Sequence, residues 1–198
     1  MTGLTYQGFK ANKLDQDCLF FTGALPEQLL PDQIQFENLW SIHPTEFHEI
    51  MMHGRLVRTP RWQQAYGRDY HYTKRTNVAL PIPSALEPLL HWARRAIDTR
   101  LNGLLLNWYD GTLGHYIGKH RDSTTSMVEG APIVTVSLGE KRVFRLRPWK
   151  GTGFVDFEAN NGMVFITPYE TNLAWTHEVP QSLRFQGRRI SVTIRAFR

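Results

Sequence analysis

Arg189-Ile190-Ser191-Val192-Thr193-Ile194-Arg195 alternates without a break, polar at every odd position and β-branched apolar at every even one. A period of two is that of a β-strand, whose successive side chains point to opposite faces. Ile190, Val192 and Ile194 are thus expected to pack into a core, while Arg189, Ser191, Thr193 and Arg195 share the other face. That polar face is either an exposed basic surface or the wall of a polar cavity. Similar short runs precede it, at Leu104–Tyr109, Ile133–Leu138, Arg142–Arg147, Phe154–Phe157 and Met163–Ile166, and the last run extends over Arg189–Phe197. Gly, Pro, Asn and Asp separate them. Short strands so spaced predict an antiparallel sandwich or jelly roll. No helical crossovers lie between the runs, which disfavours a βαβ dinucleotide fold.

The texture differs before residue 100. A helix is expected from Ser84 to about Arg100, with Ser84 as N-cap and Glu87 completing a capping box. A weaker helical stretch runs over Pro44–Met52. Between them, Gly54–Tyr72 is rich in Arg, Tyr and Trp and is broken by Pro60 and Gly67. The expected fold is α+β and mainly β, with N-terminal helices packed on a jelly roll. Residues 1–198 form one domain, with 1–100 as helical support and substrate lid and 101–198 as the jelly-roll core. A length of 198 residues fits one domain, and 41% hydrophobic against 21% charged residues excludes disorder. The start, MTGLTYQGFKANK, lacks an apolar signal region, and no apolar run approaches the roughly 18 residues of a span. The single cysteine, Cys18, excludes an intramolecular disulfide and a cysteine-based zinc site, and reads as a small buried residue. A soluble, cytoplasmic monomer is expected. The net charge of +5 permits a polyanionic partner without requiring one.

Of eight histidines, His120 has a carboxylate two positions on, in His120-Arg121-Asp122. At a strand end, positions i and i+2 share a face and converge on one point. His177 follows 55 residues after Asp122, between two expected strands. Two histidines and a carboxylate form the facial triad of non-heme Fe(II) oxygenases, leaving positions for O2 and a co-substrate. Two unrelated surface histidines are the alternative. Arg189 and Arg195 suit a small dicarboxylate, one end gripped by each guanidinium. Asn107 and Tyr109 share one face of their run, where burial without partners would be costly, and so are expected to face a polar cavity. His115 and Trp175 read as a local hydrogen-bonding residue and a packing residue, and the series His43, His48, His53 as structural.

Together these residues resemble the AlkB-like family of Fe(II)- and 2-oxoglutarate-dependent dioxygenases. The resemblance is carried in order by Asn107-Trp108-Tyr109, His120-Arg121-Asp122, Pro132 through Gly139, His177-Glu178-Val179-Pro180 and Arg189 through Arg195. Pro60 through Gly67 looks like the family's substrate-covering region. The resemblance implies a double-stranded β-helix holding iron through His120, Asp122 and His177. It implies that Arg189 and Tyr109 bind the distal carboxylate of 2-oxoglutarate, that Arg195 and Asn107 contact its metal-side carboxylate, and that Ser191 adds a polar contact. The implied reaction converts 2-oxoglutarate and O2 to succinate and CO2 while hydroxylating a C–H bond. On an N-methyl group the product then sheds formaldehyde.

Family members that repair alkylated bases often place acidic residues directly after the H-x-D motif. This chain has Ser123-Thr124-Thr125-Ser126, and Glu129 could substitute only if its loop folds back. Residues 55–75 carry Arg55, Arg58, Arg61, Trp62, Tyr66, Arg68, Tyr70, His71, Tyr72, Lys74 and Arg75. Cations and aromatic faces are what single-stranded nucleic acid needs, which makes Arg61, Trp62, Tyr66, Tyr70 and Tyr72 the candidate substrate residues. The expected function is demethylation of N-alkylated bases in DNA or RNA. Alternatives are a small-molecule or protein oxygenase with that segment as a lid, and a non-enzymatic nucleic-acid-binding β domain.

Overall fold

A computed structural model describes residues 4–52, 54–72 and 75–198, without the side chains of Met52, Tyr72 and Arg75. His53 and Lys74, read above as structural and as part of the basic segment, lie outside the described residues. In chain order the elements are β1 (Lys10–Lys13), β2 (Leu19–Ala24), α1 (Gln33–Ser41), β3 (Glu49–Met52), β4 (Arg55–Arg58), β5 (Trp62–Tyr66), β6 (Tyr70–Tyr72), β7 (Arg75–Asn77) and α2 (Glu87–Ala96). There follow β8 (Gly103–Asp110), β9 (Ile117–His120), β10 (Ile133–Gly139), β11 (Arg142–Pro148), β12 (Val155–Ala159), β13 (Met163–Thr167), α3 (Tyr169–Ala174), β14 (Trp175–Val179) and β15 (Arg188–Arg195).

The alternation in β15 does what its period predicts. Ile190, Val192 and Ile194 are fully buried, packed with Leu104, Leu106 and Trp108 of β8, Val134 and Val136 of β10, and Leu39, Leu89, Leu90 and Ala93 of the helices. Trp108 Nε1 donates to the Leu39 carbonyl at 2.9 Å, tying α1 to this face. β15 lies between β10 and β8 in a seven-stranded sheet ordered β1-β2-β13-β10-β15-β8-β5. A four-stranded sheet, β12-β11-β14-β9, forms the second layer. A second core cluster, with Phe20, Tyr109 and Phe165 from one sheet and Phe144, Leu146, Trp175 and Val179 from the other, joins the layers. This is the expected jelly roll with helices on one face.

Three expectations need correction. The division at residue 100 fails, because β1, β2 and β5 belong to the large sheet, leaving α1 and α2 as the α-helical support among the described residues of that half. The helix over Pro44–Met52 is absent: Glu49–Met52 pairs with Arg55–Arg58 across a turn at Gly54, whose φ of +76° glycine tolerates. Helix α1 forms earlier instead, where Asp32 and Gln35 close a reciprocal capping box. The Ser84 cap also fails. Ser84–Leu86 is a 3₁₀ turn without a side-chain cap, and the α-helix begins at Glu87 with Pro88 in its first turn and ends at Ala96. Among the described residues no helix is long and apolar enough to cross a membrane.

Candidate active site

His120 ends β9 and His177 lies within β14, and the antiparallel register sets the two directly opposite each other. Directly opposed residues bring their side chains together, and the rings stand 4.3 Å apart between centroids. Asp122, two residues on, brings Oδ1 to 3.8 Å from His120 Nε2 and 4.0 Å from His177 Nε2. All three donor atoms lie within 4.8 Å of one another. His177 was expected between strands; it is part of one.

The surroundings orient each donor. His120 Nδ1 lies 2.9 Å from the Gly118 carbonyl; a carbonyl only accepts, so Nδ1 carries the proton and the Nε2 lone pair faces Asp122. Burial, and then His177 beside it, pushes the His120 imidazole down to about 3, and burial lowers His177 too. Both rings are therefore neutral at pH 7. Burial alone would raise the Asp122 carboxyl, but Arg195, His177 and His120 outweigh it and hold the group well below the usual carboxylate range. Its Oδ2 accepts from Arg195 Nε at 3.0 Å and Nη2 at 2.6 Å, and Oδ1 from the Tyr70 hydroxyl at 3.3 Å. Asn172 of α3 clasps the Asp122 backbone from both sides: its Oδ1 accepts from the Asp122 amide at 3.0 Å and its Nδ2 donates to the Asp122 carbonyl at 3.1 Å. Asn172, an amide on a six-residue helix, carries no local signal of this role in the sequence.

The remaining polar positions of β15 meet those of β8 by register, Arg189 opposite Tyr109 and Ser191 opposite Asn107. Asn107, Tyr109, Ser191, Thr193 and Arg195 line one cavity with the triad. Arg189 is fully buried. Its Nε donates to Ser137 Oγ at 2.9 Å and its guanidinium stands 5.1 Å from the Tyr109 ring, but Nη1 and Nη2 have no hydrogen-bond partner among the described residues. Burial lowers this guanidinium to about 10. Two orphaned donors on a buried cation are a demand for an anion. Arg195 differs from expectation in spending two nitrogens on Asp122, so only Nη1 is left for a ligand. Two imidazoles, one carboxylate oxygen and these orphaned guanidinium nitrogens fit a ferrous ion with a bound dicarboxylate.

The substrate candidates divide. Arg61 lies within the cavity, 7% exposed, donating from Nε to Asn107 Oδ1 at 2.7 Å and from Nη2 to Gln63 Oε1 at 3.0 Å. Tyr70 also lines it. Trp62 and Tyr66 do not, because period two turns them to the opposite face of β5. Trp62 stacks on His43 at 4.1 Å and on Phe47, and Tyr66 is buried in the core under the helices. The side chain of Tyr72 lies outside the described residues. Arg55, Arg58 and Arg68 are exposed. Glu129 is exposed and absent from the cavity lining, so it does not replace the missing acid. His115 accepts from the Asp110 amide, and Trp175 packs in the core while donating to Asp15. Cys18 is buried.

The pattern of the 2OG-Fe(II) oxygenase superfamily matches residues 27–195. Among solved structures, that of OsALKBH1 superposes with a TM-score of 0.58 at 14% identity, covering 94% of this chain and 99% of that one. An oxidoreductase of the 2OG-Fe(II) oxygenase family from Burkholderia pseudomallei superposes with a TM-score of 0.55 at 18% identity, covering 88% of this chain and 84% of that one. At such identities the likeness is one of fold. No curated protein matches the chain.

Proposed function

We propose, on the premise that the chain belongs to the 2OG-Fe(II) oxygenase superfamily, that it removes alkyl groups oxidatively from the nitrogens of bases in DNA or RNA. The superfamily works with Fe(II), 2-oxoglutarate and O2, and this chain is a 2-oxoglutarate-dependent dioxygenase. The observation that carries the substrate reading is a fold like that of OsALKBH1, an AlkB homologue by name, in a chain that also exposes Arg55, Arg58 and Arg68.

His120, Asp122 and His177 would hold the iron. Arg189, through its orphaned nitrogens, would take the distal carboxylate of 2-oxoglutarate beside Tyr109. Arg195 Nη1, Asn107 and Ser191 would serve the other end. When bound, iron and 2-oxoglutarate supply the oxidation: one atom of O2 enters succinate as CO2 leaves, the other hydroxylates the alkyl carbon. The chain's own contribution is orientation and dryness. Arg195 occupies Asp122 Oδ2 so that Oδ1 faces the histidines, and the Gly118 carbonyl fixes the His120 tautomer. Leu105, Ile117, Phe144 and Val179 give the cavity apolar walls that exclude water.

A second reading, a small-molecule oxygenase, is favoured by one observation: Trp62 and Tyr66 face away from the cavity and offer no stacking platform in it. Succinate and formaldehyde production with single-stranded alkylated oligonucleotides separates the two. Stimulation at low salt that falls steeply between about 50 and 200 mM supports nucleic acid; no stimulation by any oligonucleotide sinks it.

A further inference from the structure

Among the described residues, Arg61 is the one arginine of the cavity wall that neither the iron nor the co-substrate accounts for. It precedes β5, whose register sets Gln63 opposite Asn107 and so carries the row of cavity-facing side chains out from β15 through β8. Arg61 is more than nine-tenths buried, yet both acceptors its guanidinium meets are neutral amide oxygens, Asn107 Oδ1 and Gln63 Oε1. No carboxylate pairs with it among the described residues, and Asp122 is the single acid in the cavity lining. That acid is already engaged by Arg195.

Charge bookkeeping then constrains what can enter. Three arginines, Arg61, Arg189 and Arg195, meet one carboxylate, which leaves two positive charges uncompensated. A ferrous ion and a 2-oxoglutarate dianion cancel each other, so the loaded site keeps that surplus. A buried cation without a counter-charge penalises a second cation and rewards an acceptor oxygen. N-alkylated bases come in both kinds. Methylation at N3 of cytosine leaves a cation at neutral pH with a donor at C4, whereas methylation at N3 of uracil leaves a neutral imide whose nitrogen lies between two carbonyl oxygens. The two have nearly the same shape.

Resting on the nucleobase reading above, we infer that Arg61 selects neutral, carbonyl-flanked bases of the 3-methyluracil or 3-methylthymine kind and rejects cationic ones. The guanidinium would receive a carbonyl oxygen beside the alkylated nitrogen. It also suits the last step. Once the methyl carbon carries a hydroxyl, the C–N bond breaks as the hydroxyl proton is lost and formaldehyde departs. The bonding pair stays on the imide nitrogen, spreads onto the flanking oxygens and is finally protonated. A fixed cation beside those oxygens stabilises charge where it develops. From a cationic base the same cleavage releases a neutral nitrogen, and Arg61 has nothing to stabilise.

The test uses the full-length protein with Fe(II) and 2-oxoglutarate and two single-stranded oligonucleotides identical except for one 3-methyluracil or one 3-methylcytosine. Succinate and formaldehyde are measured for the wild type, Arg61→Gln and Arg61→Lys. The wild type should favour the uracil substrate by about tenfold or more in kcat/KM. Arg61→Gln should collapse or reverse that ratio, and Arg61→Lys should retain part of it. Equal or better turnover of the cytosine substrate by the wild type overturns the inference while leaving the nucleobase reading intact. An unchanged ratio in Arg61→Gln, with weakened 2-oxoglutarate binding, assigns the arginine to the co-substrate and overturns it equally. If neither oligonucleotide stimulates turnover above the co-substrate alone, the nucleobase reading falls and the inference with it. Should Arg61→Gln fail to fold, the wild-type ratio and Arg61→Lys still decide.

Discussion

β15 and β5 are both walls of the cavity, and both alternate, yet residue type predicts the cavity face of one and misleads about the other. On β15 each inward position is polar and each outward position aliphatic, because α1 and α2 cover the outer face. β5 is the last strand of the same sheet. Its cavity face has Gln63 and, just ahead of it, Arg61, while the outward positions are Trp62 and Tyr66. Those rings find partners in His43, Phe47, Trp40 and the helical core rather than in a substrate. Near a sheet edge the outer face accepts amphipathic aromatics as readily as leucine. Strand parity, rather than the presence of an aromatic ring, therefore decides which residues face the cavity.

The contrast can be broken most forcefully at the triad that β15 supports. Asp122→Ala should abolish turnover, by about a thousandfold or more, since it removes one of the three proposed iron ligands and leaves Arg195 buried without its partner. Isothermal titration with Fe(II) or an inert divalent metal should show binding lost in parallel; full activity in this variant would remove Asp122 from the site. Next in size, Arg189→Gln should raise the apparent KM for 2-oxoglutarate by roughly 30- to 1000-fold, the scale of a buried charge-assisted contact, with kcat largely recovered at saturation. An unchanged KM would mean that the orphaned nitrogens serve something else.

A pH experiment probes the same wall without mutation. The unfolded chain takes up protons at histidine near pH 6.5 and at aspartate near 4, whereas folded His120, His177 and Asp122 resist protonation. The unfolded state then binds more protons throughout acidification, so stability is fully present at pH 7 and declines as pH falls below 6.5. Urea midpoints of metal-free protein should fall steadily between pH 6.5 and 4, and more shallowly in His120→Ala. The smallest effect belongs to β5: Trp62→Phe should cost about 1 kcal/mol of stability and leave the KM for 2-oxoglutarate within about twofold. A large change in that KM would return Trp62 to the cavity.

Legibility in the sequence followed the same division. The runs that became β8, β10, β11, β13 and β15 could be read to within about two residues, β15 by its alternation and the others as short apolar stretches between turn residues. So could the convergence of Asn107, Tyr109, Ser191, Arg195, His120, Asp122 and His177, because i and i+2 share a face whatever the partner strand. Strands β1, β2 and β5 were hidden. They are short and lie towards the ends of the sheet, and only tertiary pairing, with β13 and β8 among their partners, makes them strands. The Ser84 capping box was a local signal overruled by Pro88, and Glu49–Met52 one overruled by a hairpin. Asn172 was illegible as a site residue, since its role depends on Asp122, 50 residues away; Arg61 was legible as a candidate by residue type, but its hold on Asn107, 46 residues away, was not.

The direct opposition of His120 and His177 across β9 and β14 carries a mechanical consequence. β9 is a four-residue edge strand with one neighbour in its sheet, held largely by its pairing with β14. An ion shared by the two histidines would act as a rivet between neighbouring strands and close a loop of 57 residues. On the chain-entropy arithmetic used for disulfides, such a closure restricts the unfolded chain by about 4 kcal/mol. Loading would therefore quiet the edge of the small sheet as well as arm the cavity, and amide exchange at Ile117 through His120 would report iron occupancy before any substrate is added.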